Sequence, residues 1–188
     1  ILLNGSFVHR NFMGTGNRVA AEINAGQYSK VFSLSHTDPY TTIDGVSRTV
    51  SATWRSISQF TTSSSDFETE TGTLGLDYAW PLTEFQSVRM GFAAQRSDLF
   101  TDPNSSAAEA LYWVQNNGNT YTEVQNVGIP PIGLTYYGTK FDTFEYSIGW
   151  SFDSRNRALF ADRGARHRVS ASYALPFSDI DFVSFNYD

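Results

Sequence analysis

The sequence predicts an all-β membrane fold, a transmembrane antiparallel up-and-down β-barrel, present here as a partial barrel of about nine strands with one short loop helix. Three observations carry that expectation. Apolar and polar residues alternate strictly, as in "DTFEYSIGWSFDSRN", where Phe144, Tyr146, Ile148, Trp150 and Phe152 are separated by Glu145, Ser147, Gly149 and Ser151. Successive side chains of a strand point to opposite faces, so such a stretch has one oily and one polar face. The polar faces are mostly Ser, Thr, Gly and Ala, and the connections are short at one end and long at the other.

Composition narrows the field. A chain of 188 residues can build one domain or part of a larger one. Its formal net charge of −6 and pI near 5.0 give no electrostatic reason to expect nucleic acid. The absence of cysteine removes disulfides and thiolate metal sites. No apolar run reaches the length of a membrane helix, but a barrel with a polar interior tolerates a mean hydropathy of −0.31. The opening "ILLNGSFVHRNF" lacks the basic start and apolar block of a signal peptide and reads as strand, so the chain is expected to begin inside a domain.

Nine strands follow from alternation and turn chemistry. The first is Ile1 to Phe12, ended by "MGTGN"; Arg18 to Gln27 comes next, with Val19, Ala21, Ile23 and Ala25 on one face. Ser29 to Thr37 places Phe32 and Leu34 together. "DPYTTIDG" is a turn, with Pro39 fixing φ and Gly45 supplying a positive φ. Val46 to Arg55 puts Val50, Ala52 and Trp54 on one face. After a Ser/Thr-rich loop, Thr71 to Trp80 aligns Leu74, Leu76, Tyr78 and Trp80, and beyond the turn that begins at Pro81, Val88, Met90, Phe92 and Ala94 alternate with polar or small residues. The strand through Ile148 is seventh, followed by "SRNRALFADRG" with Gly164, and His167 to Leu175 and Phe182 to Tyr187 close the series.

Between the sixth and seventh strands lies a long insert, 98–140, with one helix signal. Ser106 and Glu109 have capping-box spacing, Ala107, Ala110, Leu111 and Val114 form an apolar stripe, and Gly118 lies where a helix stops, which predicts a helix over Ala107 to Asn116. Its stripe suits a cap over the pore; a recognition surface is the alternative.

Alternation alone also fits a soluble sandwich or ligand-binding barrel, so the polar face decides. Soluble sheets turn Lys and Glu to water. Here the only lysines are Lys30 and Lys140, and neither occupies a strand centre. Oily faces carry aromatics near strand ends, as expected at a bilayer interface. The predicted lipid-facing set is Trp54, Leu76, Tyr78, Trp80, Phe92, Tyr146, Ile148, Trp150, Phe152 and Tyr173, with outer-membrane lipids as the partner. The short turns, marked by Gly14, Gly16, Pro39, Gly45, Pro81 and Gly164, are expected on the periplasmic side and the 98–140 insert outside the cell. Nine strands cannot close as an even-numbered bacterial barrel, and unpaired backbone in lipid is costly, so the chain reads as part of a larger barrel.

No catalytic, cofactor or metal site is predicted. "GTGN" precedes a strand, not a helix, and lacks the third glycine of a phosphate loop. His9, His36 and His167 show no ligand spacing. Ser35, His36 and Asp38 name the residue types of a hydrolase, but Ser35 and His36 are adjacent on a strand, point to opposite faces and make poor partners for nucleophilic chemistry. Arg155, Arg157, Arg163, Arg166 and Arg168 cluster near one turn, where pairing with Asp153 and Asp162 competes with docking of an acidic partner.

Four stretches in order, "NFMGTGNRV", "SLSHTDPYTTIDGVS", "YAWPLTEFQSVRMGF" and "GWSFDSRNRALFADRGARHRVSASYALPFSD", resemble the BamA family of outer-membrane barrel assembly factors. Met13 replaces the usual Leu of the first turn, and Phe177 stands where the family often has Gly. The resemblance covers nearly the whole chain and is weakest over the insert. It implies the second to tenth strands of a barrel of roughly sixteen, the N-terminal half to two-thirds of the barrel domain, in the bacterial outer membrane. It further implies an insertase without covalent chemistry, working on unfolded β-barrel clients with periplasmic domains of the same protein and accessory lipoproteins. A translocation-and-assembly or two-partner secretion barrel and a passive porin are the alternatives.

Overall fold

Alternating stretches with one oily face pair side by side in chain order. The computed structural model describes residues 2–58, 67–101, 108–127, 132–156 and 162–188. Its strands are β1 Leu3–His9, β2 Arg18–Ala25, β3 Ser29–Asp38, β4 Ser47–Ser58, β5 Phe67–Pro81, β6 Gln86–Thr101, β7 Asn119–Val127, β8 Ile132–Asp153, β9 Arg166–Ala174 and β10 Val183–Tyr187. One helix, α1, spans Ala108–Asn116. All pairings are antiparallel, in the order β1-β2-β3-β4-β5-β6-β8-β9-β10, with β7 on the far edge of β8. β1 and β10 are the two edges, so this sheet is open.

The nine wall strands are those that alternation predicts. The tenth, β7, was not foreseen, and with the first part of β8 it forms a hairpin inside the insert. The expected insert boundaries also move: β6 runs on to Thr101 and β8 begins at Ile132, so both strands continue beyond their alternating portions. Pro81 is the last residue of β5, opposite Ser87, and the turn is 82–85. The first strand is shorter than expected, because Phe12–Gly14 forms a 3-10 turn with Met13 at φ 52. Helix α1 matches its expected end, with Gly118 at φ +66; Ser106 and Ala107 of its predicted start lie outside the described residues.

Strand register reveals a systematic stagger. One row of directly opposed residues runs His9, Val19, His36, Val50, Leu76, Phe92, Tyr146, Tyr173. His9 is the last residue of β1 at the short-turn end, whereas Tyr173 lies seven residues from the corresponding end of β9 at Arg166. Seven pairings therefore accumulate an offset of seven residues. A shift of about one residue (~3.4 Å) per ~4.8 Å strand spacing is a tilt of about 35°, in the range of membrane barrels.

Packing has an unusual sign. Among the described residues only Val46, Val114 and Ala174 are buried hydrophobics, while Leu74 is 65% exposed, Phe92 50% and Phe185 69%. The alternating apolar side chains of the wall strands share a face that, apart from Phe177 against Phe144, nothing among the described residues covers.

Candidate functional site

Directly opposed residues share a face, so the register assigns each side chain. Phe7, Ala21, Leu34, Ala52, Leu74, Ala94 and Phe144 form one row of the apolar face. Arg18, Thr37, Thr49, Asp77, Gly91, Ser147, Ser172 and Ser184 form one row of the other. All ten residues of the predicted lipid-facing set belong to the apolar face.

Aromatic rings band that face at two levels. Toward the short-turn end, Tyr78 stacks beside Trp80, and Trp150, Phe152, His167 and Tyr187 form a continuous ladder with centroids 6.1 to 6.2 Å apart. Tyr187 Oη lies 2.9 Å from His167 Nδ1, which gives the phenol a partner at this level. Toward the other end, Phe32 packs on Trp54 at 5.4 Å and Phe92 on Tyr146 at 5.0 Å. The Trp54 indole N–H donates to Glu70 at 2.5 Å. Rings with one apolar part and one satisfied polar handle suit a boundary between oil and water. Between the levels, the stretch from Phe144 to Phe152, inclined by about 35°, rises about 22 Å, close to the ~25 Å apolar band of outer-membrane barrels.

Above the band, the same face turns ionic. Arg96 grips Asp142 through Nε and Nη2 at 2.7 and 2.6 Å, and Lys140 pairs with Asp98 at 3.6 Å. Alternation in the sequence did not single out these pairs, because they begin where the apolar pattern stops. Tyr121 of β7 lies flat over its partner Gly138, where an added Cβ would sit 2.1 Å from the ring. Its hydroxyl donates to Asp98 at 2.8 Å; burial and that carboxylate together push the phenol above the ordinary tyrosine range.

The polar face is small and hydrogen-bonded across strands. Thr37 and Thr49 lie 3.0 Å apart through their hydroxyls, and Ser87 and Ser151 lie 2.7 Å apart. At Gly91 an added Cβ would stand 2.5 Å from both Asp77 Oδ1 and Ser147 Oγ, so glycine makes room for this polar layer. Helix α1 packs on this face at the long-connection end. Val114 is fully buried together with Thr101 and Thr139, Trp113 meets Phe141 edge to face, and Thr139 Oγ1 donates to Asn117 O at 2.5 Å.

The predicted turn residues gather at one end, in the connections 10–17, 39–46 and 154–165 and, for Pro81, at the last position of β5 before the turn 82–85. Gly14, Gly16, Gly45 and Gly164 all have positive φ. The length difference between the two ends is carried mainly by the connection 102–131. Arg155 pairs with Asp153 at 2.7 Å in the last turn, and Arg157 lies outside the described residues. The three histidines stand on the apolar face, Ser35 stands on the polar face, and no group of three potential metal ligands occurs among the described residues.

The description Omp85 superfamily domain fits residues 11–188, which is almost the entire chain. The chain belongs to the Omp85 superfamily. It is an outer-membrane β-barrel segment, and its tilted, uncovered apolar face is what an Omp85 barrel wall requires. It is 26% identical over 186 residues to the outer membrane protein assembly factor BamA of Neisseria meningitidis serogroup B, covering 98% of this chain and 22% of that protein. Its fold is similar to the crystal structure of BamA from Haemophilus ducreyi lacking POTRA domains 1-3, with a TM-score of 0.73 at 21% identity, over 98% of this chain and 33% of that one. The chain thus spans about a fifth of the first Omp85 relative and a third of the second.

Proposed function

We propose that this chain is the N-terminal half to two-thirds of the barrel domain of an insertase that folds β-barrel proteins into the bacterial outer membrane without covalent chemistry. The observation that carries the proposal is the uncovered apolar face, combined with a strand stagger of one residue per pairing and membership of the Omp85 superfamily. In this reading Trp54, Leu76, Tyr78, Trp80, Phe92, Tyr146, Ile148, Trp150, Phe152 and Tyr173 contact lipid. The turns with Gly14, Gly16, Pro39, Gly45 and Gly164, and the strand end at Pro81, face the periplasm. The insert around α1 and β7 lies outside the cell.

The chemistry of insertion follows from the solvent. An unpaired backbone N–H or C=O in hydrocarbon costs several kcal/mol, so a client strand gains most by pairing before it enters lipid. A barrel with a weak seam offers such an edge, and this chain supplies the firm wall beside it. Periplasmic domains of the same protein and accessory lipoproteins would deliver unfolded clients to that edge. Packing of α1 on the polar face supports an obstructed interior over an open porin.

Depletion of the full-length protein tests the assignment. Unassembled outer-membrane barrels should accumulate in the periplasm across many clients. Loss of one exported client alone would instead favour a translocation barrel, and normal assembly of all barrels would refute the insertase.

A further inference from the structure

We infer that Arg48 and Asp38 bind the headgroup of a zwitterionic phospholipid of the periplasmic leaflet, its phosphate on Arg48 and its ammonium on Asp38. The inference rests on the lipid-facing reading above. Arg48 of β4 stands directly opposite Asp38 of β3 on one side and Tyr78 of β5 on the other, so all three share the apolar face. Asp38 is the last residue of β3 and Arg48 the second of β4, which puts the pair at the short-turn end. The stacked Tyr78 and Trp80 of the lower aromatic band lie beside it. At the level of an aromatic band a lipid-facing surface meets headgroups as well as acyl chains.

Directly opposed side chains start about 5 Å apart, close enough for an ion pair. Asp38 and Arg48 do not form one. Asp38 Oδ1 instead accepts the Tyr40 N–H at 3.1 Å, and neither residue makes an ion pair among the described residues. Arg48 is half-buried, and its Nε is buried without an acceptor. The other buried side-chain polar atom without a partner among the described residues, Thr41 Oγ1, lies in the turn that joins the same two strands. A guanidinium cannot shed its proton, and a partly desolvated charge is costly until it meets a counter-ion, so Arg48 calls for an anion from elsewhere. At a bilayer boundary that anion is a lipid phosphate, which a guanidinium takes through charge-assisted hydrogen bonds. A purely anionic headgroup would satisfy Arg48 but repel Asp38. A headgroup that carries phosphate and primary ammonium on one short arm satisfies both, and its charges cancel as those of Asp38 and Arg48 do. Above the pair, Leu34, Val50 and Leu76 continue the apolar face for the acyl chains.

The test uses the full-length protein folded into nanodiscs of phosphatidylethanolamine and phosphatidylglycerol in equal amounts. Lipid that survives collisional stripping is then identified by native mass spectrometry. Wild type and the polar-face control Arg89→Gln should retain phosphatidylethanolamine in preference to phosphatidylglycerol. Arg48→Gln should retain about tenfold less phosphatidylethanolamine, the loss expected for one charge-assisted contact. Asp38→Asn keeps the phosphate contact and should lose only the preference, retaining both lipids alike. It carries the test should Arg48→Gln fail to fold. No preference for phosphatidylethanolamine in the wild type, or retention in either folded variant unchanged from wild type, overturns the site while leaving the barrel reading intact. Failure of the wild type to enter nanodiscs overturns the lipid-facing reading and the site with it.

Discussion

The carboxylate of Asp179 accepts the backbone N–H of Asp142 at 2.7 Å, closing a gap that no strand fills. On that edge of β8, β7 pairs up to Lys140 and β9 begins at Glu145. The intervening backbone groups go to the β9–β10 loop. Asp179 N donates to Asp142 O at 2.8 Å and Leu175 N to Phe144 O at 2.7 Å, while Ser178 Oγ accepts from Phe144 N at 2.8 Å. Phe177 in the same loop packs on Phe144 with centroids 4.8 Å apart. The "PFSD" stretch therefore acts as a substitute strand. Asp179→Ala should free the Asp142 N–H and lower folding stability by about 1 to 3 kcal/mol, read as a lower urea midpoint of the refolded barrel.

Charge on the apolar face should be costly in a way that charge on the polar face is not. Ile148→Arg or Leu76→Arg should destabilise the membrane-inserted barrel by about 2 to 4 kcal/mol near the bilayer midplane. Ser147→Arg, one residue away on the other face, should cost less. Equilibrium unfolding from liposomes measures all three, and equal losses would contradict the facing proposed here.

Gly164 is confined by both conformation and space. Its φ is +96, and an added Cβ would lie 2.2 Å from Ser154 O across the turn. Gly164→Ala should cost about 2 kcal/mol or more, because the backbone must move before the methyl fits. Slower refolding yield and a lower unfolding midpoint would register it.

Tyr121 should make the β7–β8 hairpin sensitive to alkali. Its phenol is held above the ordinary value of ~10 by burial and by the bond to Asp98. A raised folded-state value means its contribution to stability is fully present below about pH 10 and is lost as pH rises through the folded-state value. Ultraviolet titration should show one late-ionising tyrosine that disappears in Tyr121→Phe. The variant should also flatten the alkaline fall in stability.

The wall was legible because one face of each strand had to be oily, and the run Phe144, Tyr146, Ile148, Trp150, Phe152 announces this directly. The same strand was underestimated beyond Phe144, and β6 beyond Ala94. There α1 covers part of the polar face and ion pairs such as Lys140 with Asp98 occupy the other, so no two-residue hydrophobic rhythm survives. β7 escaped for the same reason: Tyr121 packs on a glycine rather than joining an oily row. The roles of Ser178 and Asp179 depend on which backbone edge is left bare, a property of register across strands that lies far apart in sequence.

Collision accessibility along β8 tests the central claim most directly. Single cysteines placed from Phe144 to Phe152, each carrying a nitroxide, are exposed in liposomes to oxygen, which concentrates in lipid, and to a nickel chelate, which stays in water. Labels at 144, 146, 148, 150 and 152 should collide mainly with oxygen, and those at 145, 147, 149 and 151 mainly with the chelate. An inverted alternation, or none, would contradict the assignment of the apolar face to lipid.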